Sequence, residues 1–202
     1  SLQTPLLFDP GERWEYGTSV DWAGLVVEAI AGQRLGDFME ERIFGPLGMT
    51  STAFTLTRSM RERLARVHRR KADGQLEPMR NYELPPDPEV HMGGHGLYST
   101  PEDYAKFIRM WLNDGRGPSG EFLLRRETVA MAAESGLGDL TVRPLTTADP
   151  KITHDVDFFP GLPKSWGLTF MINEAPAPTG RPAGALAWAG LANVYYWIDR
   201  EN

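Results

Sequence analysis

Cysteine is absent from this 202-residue chain. That removes disulfide cross-links and thiolate metal sites together, and it leaves the redox compartment open. Histidine is scarce: there are four, His68, His91, His95 and His154. Only His91 and His95 stand four apart, and Gly93 and Gly94 between them spoil a helix that would aim both at one ion. Neither a metal nor a cofactor is expected. Long apolar runs are missing as well. The longest, Trp22 to Ile30, is broken by Glu28 and falls short of the roughly 20 residues a membrane span needs. Residues Ser1-Leu2-Gln3-Thr4-Pro5 lack the positive and apolar regions of a secretory signal. The one dense basic run, His68-Arg69-Arg70-Lys71, carries no interleaved aromatics in a chain of net charge −6, which speaks against a nucleic-acid partner.

What is present is the composition of one ordinary folded domain, 41% hydrophobic and 24% charged. Asp9-Pro10-Gly11 is turn chemistry that delivers Trp14 and Tyr16 into a short loop. Thr18 or Ser19 can cap a helix over Val20 to Ala31 that Gly32 ends; being apolar nearly all round, it reads as buried. A second helix, capped by Asp37, runs through Ile43 and is expected to stop at Gly45-Pro46. Ser59-Met60-Arg61-Glu62 reads as a capping box, and Arg66 to Met79 as a hairpin pivoting on Asp73-Gly74. Ser99-Thr100-Pro101-Glu102-Asp103 starts an amphipathic helix with Tyr104, Phe107, Ile108, Trp111 and Leu112 on one face. A short helix covers Arg126 to Ala133. Residues 135–164 form a Gly/Pro/Asp-rich stretch longer than a compact domain carries without a functional reason. Three strands follow: 166–172, 185–189 and 194–199, the last two joined as a tight hairpin. Helices first and strands last predict an α+β fold, a helical and loop part over about 1–164 and a sheet over about 165–202 of a single domain.

Two places could carry chemistry. Tyr16 sits at the tip of its turn, and Trp188-Ala189-Gly190 offers small residues at a strand edge where a ligand's carbonyl can approach closely, with the Leu191 N–H just beyond as a candidate oxyanion donor. Ser19, in Gly17-Thr18-Ser19-Val20-Asp21, lacks the closing glycine of a nucleophile elbow and reads as a capping hydroxyl.

Five segments in order, Phe8-Asp9-Pro10-Gly11-Glu12-Arg13-Trp14-Glu15-Tyr16, the helix ending at Gly32, Ile43-Phe44-Gly45-Pro46-Leu47-Gly48-Met49, Gly93-Gly94-His95-Gly96-Leu97-Tyr98-Ser99-Thr100-Pro101-Glu102-Asp103, and Trp188-Ala189-Gly190 leading into Tyr195-Tyr196-Trp197-Ile198-Asp199, give the chain its likeness to known proteins. It resembles the serine β-lactamase-like hydrolases, in particular the class C-related esterases that share the penicillin-binding-protein fold. The resemblance implies acyl transfer through a covalent seryl ester. Its first motif, Ser-x-x-Lys, has no match: no serine here has lysine three places on. The nucleophile would come from polypeptide outside these residues, as an upstream segment or a separate chain, and the fold would be incomplete at both ends. Tyr16 matches the tyrosine of the family's Tyr-x-Asn, with Thr18 in place of the asparagine. By the resemblance Tyr16 is the general base, and Leu191 supplies the sheet's oxyanion N–H. Thr18, Trp188, Ala189 and Gly190 are the implied substrate-binding positions. Trp188-Ala189-Gly190 stands where the family carries Lys-Thr-Gly; tryptophan cannot bind a substrate carboxylate and presents an apolar wall. The expectation is a hydrolase of short-chain carboxylic esters with a small-molecule ester as its partner. A β-lactam or small-amide hydrolase, and an inactive binding member of the family, are the alternatives.

Overall fold

The computed structural model describes residues 5–80, 82–150 and 152–201. The opening residues 1–4, read above for a secretory signal, lie outside these. The chain groups into two compact units, Gly17–Arg125 and Ser1–Tyr16 with Arg126–Asn202.

In the unit Gly17–Arg125, helix α1 (Ser19–Ala31) starts after Thr18 and is ended by Gly32 in the left-handed conformation, its N–H bonded to Glu28 O. The Thr18 hydroxyl makes no cap bond, because its backbone (φ −87°, ψ 10°) is not the extended one that turns a capping oxygen toward the first turn. The expected burial of this helix is also not seen. Gly24 is its one buried residue, while Val20, Trp22, Val26 and Ile30 are exposed. The reason is how the helix is held: backbone meets backbone along a single stripe. A Cβ on Gly93 would stand 2.2 Å from Val20 O, and the Gly94 N–H donates to Asp21 Oδ1 at 2.7 Å, so the glycine pair presses directly on α1.

The second helix departs further from expectation. It begins at Leu35 after Arg34, as α2 (Leu35–Met39), widens into a π-helical turn over Glu40–Phe44, and resumes as α3 (Gly45–Leu47) until Gly48 ends it in the left-handed conformation. Asp37 lies inside the helix and Pro46 does not stop it. A proline clashes with the carbonyl four residues back, and a wide turn immediately before it relieves that clash. Helix α4 (Arg58–Glu62) is capped by Thr57, which accepts from Met60 N–H, in place of Ser59. The basic run lies on a hairpin, β1 (His68–Arg70) against β2 (Leu76–Pro78), turning at Gly74 (φ +83°). Helix α5 (Pro101–Leu112) starts as its sequence requires: Thr100 accepts from Asp103 N–H, proline opens the first turn and Glu102 and Asp103 face the dipole. Met110 and Trp111 of α5 are buried, as are Leu35, Phe44, Leu47, Phe54 and Met60.

In the other unit, α6 (Arg126–Ala132) precedes a four-stranded antiparallel sheet, order β3-β4-β5-β6. The single strand expected over 166–172 is a hairpin, β3 (Lys164–Trp166) and β4 (Met171–Asn173). The break is at Gly167. Its N–H donates to Phe170 O at 2.8 Å, and a Cβ there would stand 2.1 Å from Ala132 O, so only glycine allows the chain to turn against the end of α6. Strands β5 (Leu186–Gly190) and β6 (Val194–Ile198) pair as the expected antiparallel hairpin, Leu186 opposite Ile198 through Gly190 opposite Val194. Phe170, Met171, Ile172, Leu186, Ala187, Ile198 and Val129 are buried.

Candidate active site

Tyr16 reaches its position through the turn before it. Glu12 N–H donates to Asp9 O at 3.1 Å, Gly11 takes φ +85°, and the Arg13 guanidinium stacks over Phe8 at 4.1 Å. Trp14 and Tyr16 then alternate onto the sheet. Trp14 packs on Trp166 of β3 with ring centroids 5.3 Å apart, and Tyr16 packs on Trp188 of β5 at 4.8 Å and on Trp166 at 6.4 Å. The two tryptophans meet edge to face at 4.5 Å, a geometry favoured by their quadrupoles. Phe158 closes the group against Trp188 at 5.8 Å.

Among these rings Tyr16 keeps one side open to solvent, with 45% of its surface exposed. Its oxygen accepts from Trp188 Nε1 at 3.4 Å, a long bond for N–H···O. A donor to the phenol oxygen leaves the phenol's own proton for another acceptor. The tyrosine and the tryptophan singled out from the sequence are therefore in contact across 172 positions of chain.

Ala189 and Gly190 follow Trp188 along β5, and Leu191 opens a three-residue loop to β6. In that loop Ala192 (φ +61°) and Asn193 (φ +60°) are both left-handed. Asparagine visits that region readily; alanine does so at a cost of about 1 kcal/mol. Thr18 belongs to the other unit, at the start of α1. Trp166, which meets Tyr16, and Phe158, which meets Trp188, belong to none of the motifs in the sequence. A signal existed for Phe158, since it lies in the long 135–164 stretch marked as unusual, and none existed for the side of the strand on which Trp166 falls.

Among the described residues no three His, Asp or Glu side chains gather as ligands. His91 is buried, accepts from Gly36 N–H through Nδ1 at 3.1 Å and stacks on Phe54 at 4.2 Å. Burial, and then the nearby Arg34 charge, push its pKa below the ordinary histidine value. No helix among the described residues is long and apolar enough to cross a membrane.

The β-lactamase family profile matches residues 2–202. An acyltransferase of Monascus pilosus, mokF, is 32% identical over 98% of this chain and 48% of its own length. A lovastatin esterase of Penicillium rubens is likewise 32% identical, over 98% of the chain and 50% of that protein. The unliganded simvastatin synthase LovD of Aspergillus terreus superimposes with a TM-score of 0.76 at 28% identity, covering 99% of this chain and 50% of that one. The chain thus spans about half the length of the relatives it matches. A profile match over nearly every residue, in a chain that holds both helices and an antiparallel sheet, makes this chain a member of the β-lactamase family, with the fold shared by penicillin-binding proteins.

Proposed function

We propose that the protein carrying this chain is an acyl-transfer enzyme acting on short-chain carboxylic esters, hydrolysing them through a covalent acyl-serine whose serine and lysine lie outside these residues. The observation that carries the reading is the half-exposed Tyr16 hydroxyl lying against Trp188, one residue from the Ala189-Gly190 edge. Acyltransferases and an esterase among the relatives support the same class of reaction.

In this reading Tyr16 takes the proton from the attacking serine and returns it to the leaving alcohol; in the second half it activates the water, or an acceptor alcohol, that releases the acyl group. The Leu191 N–H and the serine's own N–H receive the negative charge that develops on the carbonyl oxygen. Gly190 removes the side chain that would block the approach. The indole of Trp188, backed by Trp166 and Phe158, walls the acyl site with apolar surface where the family's lysine would hold a carboxylate.

Tyr16→Phe in the full-length protein tests it. Turnover of p-nitrophenyl butyrate should fall by about three powers of ten or more, because a general base contributes roughly 10²–10⁴-fold and here serves both half-reactions. Unchanged turnover removes Tyr16 from the mechanism. Faster turnover of a chromogenic cephalosporin than of the butyrate ester would replace the esterase reading with a β-lactamase one, and an absence of both activities would leave an inactive binding member.

A further inference from the structure

Arg181 lies in the loop that joins β4 to β5, held there by the Ala177 N–H bond to its carbonyl at 2.8 Å. Its guanidinium stacks over the Trp197 indole at 4.3 Å and over the Phe159 ring at 5.4 Å. Among the described residues none of its side-chain N–H donors has a hydrogen-bond acceptor or a carboxylate partner. The group is half-buried, and burial lowers its pKa, yet an arginine stays charged. A partly desolvated cation whose donors have no protein partner can receive an anion.

Arg181 also lines a cavity of about 220 Å³ whose other walls include Phe158, Phe159, Trp188, Tyr195 and Asp157. That volume is below the roughly 300–1,000 Å³ of sites enclosing a drug-sized ligand, so it suits one arm of a substrate and not the whole. Trp188 is shared: it lines this cavity and meets Tyr16. Asp157 decides the charge of the occupant. Its oxygen lies 3.5 Å from Lys164 Nζ, so the pair is close to neutral, but a carboxylate in the wall disfavours a doubly charged ligand. A guanidinium without a protein partner, set among aromatic residues, offers a planar fork of donors that fits a single carboxylate.

We propose that Arg181 forms an anion subsite beside Trp188 that takes a carboxylate carried on an arm of the ester substrate. The inference rests on the esterase reading for what the arm is attached to, and it deepens that reading. With tryptophan at position 188 the strand edge has no cation for a substrate acid; Arg181 supplies one from the neighbouring loop.

The test compares two esters in the full-length enzyme, neutral p-nitrophenyl butyrate and the mono-p-nitrophenyl ester of glutaric acid. Arg181→Gln should lower kcat/KM for the acid ester about 10- to 100-fold through KM, the range expected for one charge-assisted pair. The butyrate ester should change less than twofold, and Arg181→Lys should recover part of the loss. Equal losses on both esters, or none on the acid ester, overturn the proposal. A second measurement needs no turnover: titration of the wild type with monomethyl glutarate, followed by tryptophan fluorescence and calorimetry. Saturable binding that weakens with salt and disappears in Arg181→Gln supports the subsite even if neither ester is cleaved, in which case the esterase reading alone fails. A wild type that shows no saturable binding overturns the subsite, whatever its activity on butyrate.

Discussion

At residue scale, His91 shows how burial settles a side chain's chemistry. Its Nδ1 accepts the Gly36 N–H, which requires the ring to be neutral at that nitrogen, and Phe54 lies flat against it. The folded pKa is below 6.5, with desolvation as the leading cause and the Arg34 charge second. As pH falls through 6.5 the unfolded chain takes up a proton that the folded chain refuses, so the His91 contribution is complete above 6.5 and declines below it until the folded ring itself titrates. Chemical denaturation at a series of pH values should show this slope in the wild type and a shallower one in His91→Gln. Ala192 makes the opposite case, a residue in a backbone conformation it resists (φ +61°). Ala192→Gly should raise stability by at most about 0.5 kcal/mol, the strain relieved less the entropy glycine adds to the unfolded chain, read from the urea midpoint. Backbone strain held beside a candidate site is commonly part of what positions it, so the same variant should be assayed for ester turnover.

The elements divide by where their signals lie. Helix α5 was legible because everything that starts it is local: Thr100 to cap, Pro101 to open, acids in the first turn. Thr100→Ala should cost about 1 kcal/mol, seen as a lowered thermal midpoint with no change in the m-value. The hairpin at Asp73-Gly74 was legible for the same reason, and the antiparallel pairing of β5 with β6 followed from the short connection. The β3–β4 hairpin was not. Trp166 to Ile172 has strand composition throughout, and what bends it is the carbonyl of Ala132, brought to Gly167 from α6. Gly167→Ala forces that contact open and should cost more than Thr100→Ala, on the order of 2–3 kcal/mol. Pro46 is the converse: a strong local stop signal overridden by a π-helical turn.

On the scale of the whole molecule, apolar surface stands out. Leu6, Leu7, Ile30, Val26, Val194, Tyr195 and Trp197 are all exposed, and β6 is an edge strand. Unpaired edges and contiguous apolar patches promote association. The 202-residue chain expressed by itself should therefore bind a hydrophobic dye and show an apparent mass that rises with concentration in light scattering; a dye-silent monomer at high concentration would contradict this. Asp103 bears on acid stability at the same scale. Burial alone would raise its pKa, but the bonds from Lys106 Nζ (2.8 Å), Ser51 N–H (2.6 Å) and Thr52 hold it below 3.8. Its stabilising contribution is present above 3.8 and is lost as pH falls through the folded value.

The sequence by itself determined the α+β class and the family, because motif order, capping residues and turn residues are read within a few positions of one another. It also marked Tyr16 and Trp188 as residues worth pairing. Only the tertiary structure decided that they touch, that Trp14, Trp166 and Phe158 gather around them, and that the Arg181 guanidinium lies over Trp197 with no protein acceptor for its donors. Those facts depend on which strand faces come together across up to 172 positions of chain, and that is settled by the burial of many side chains at once, which no local pattern encodes.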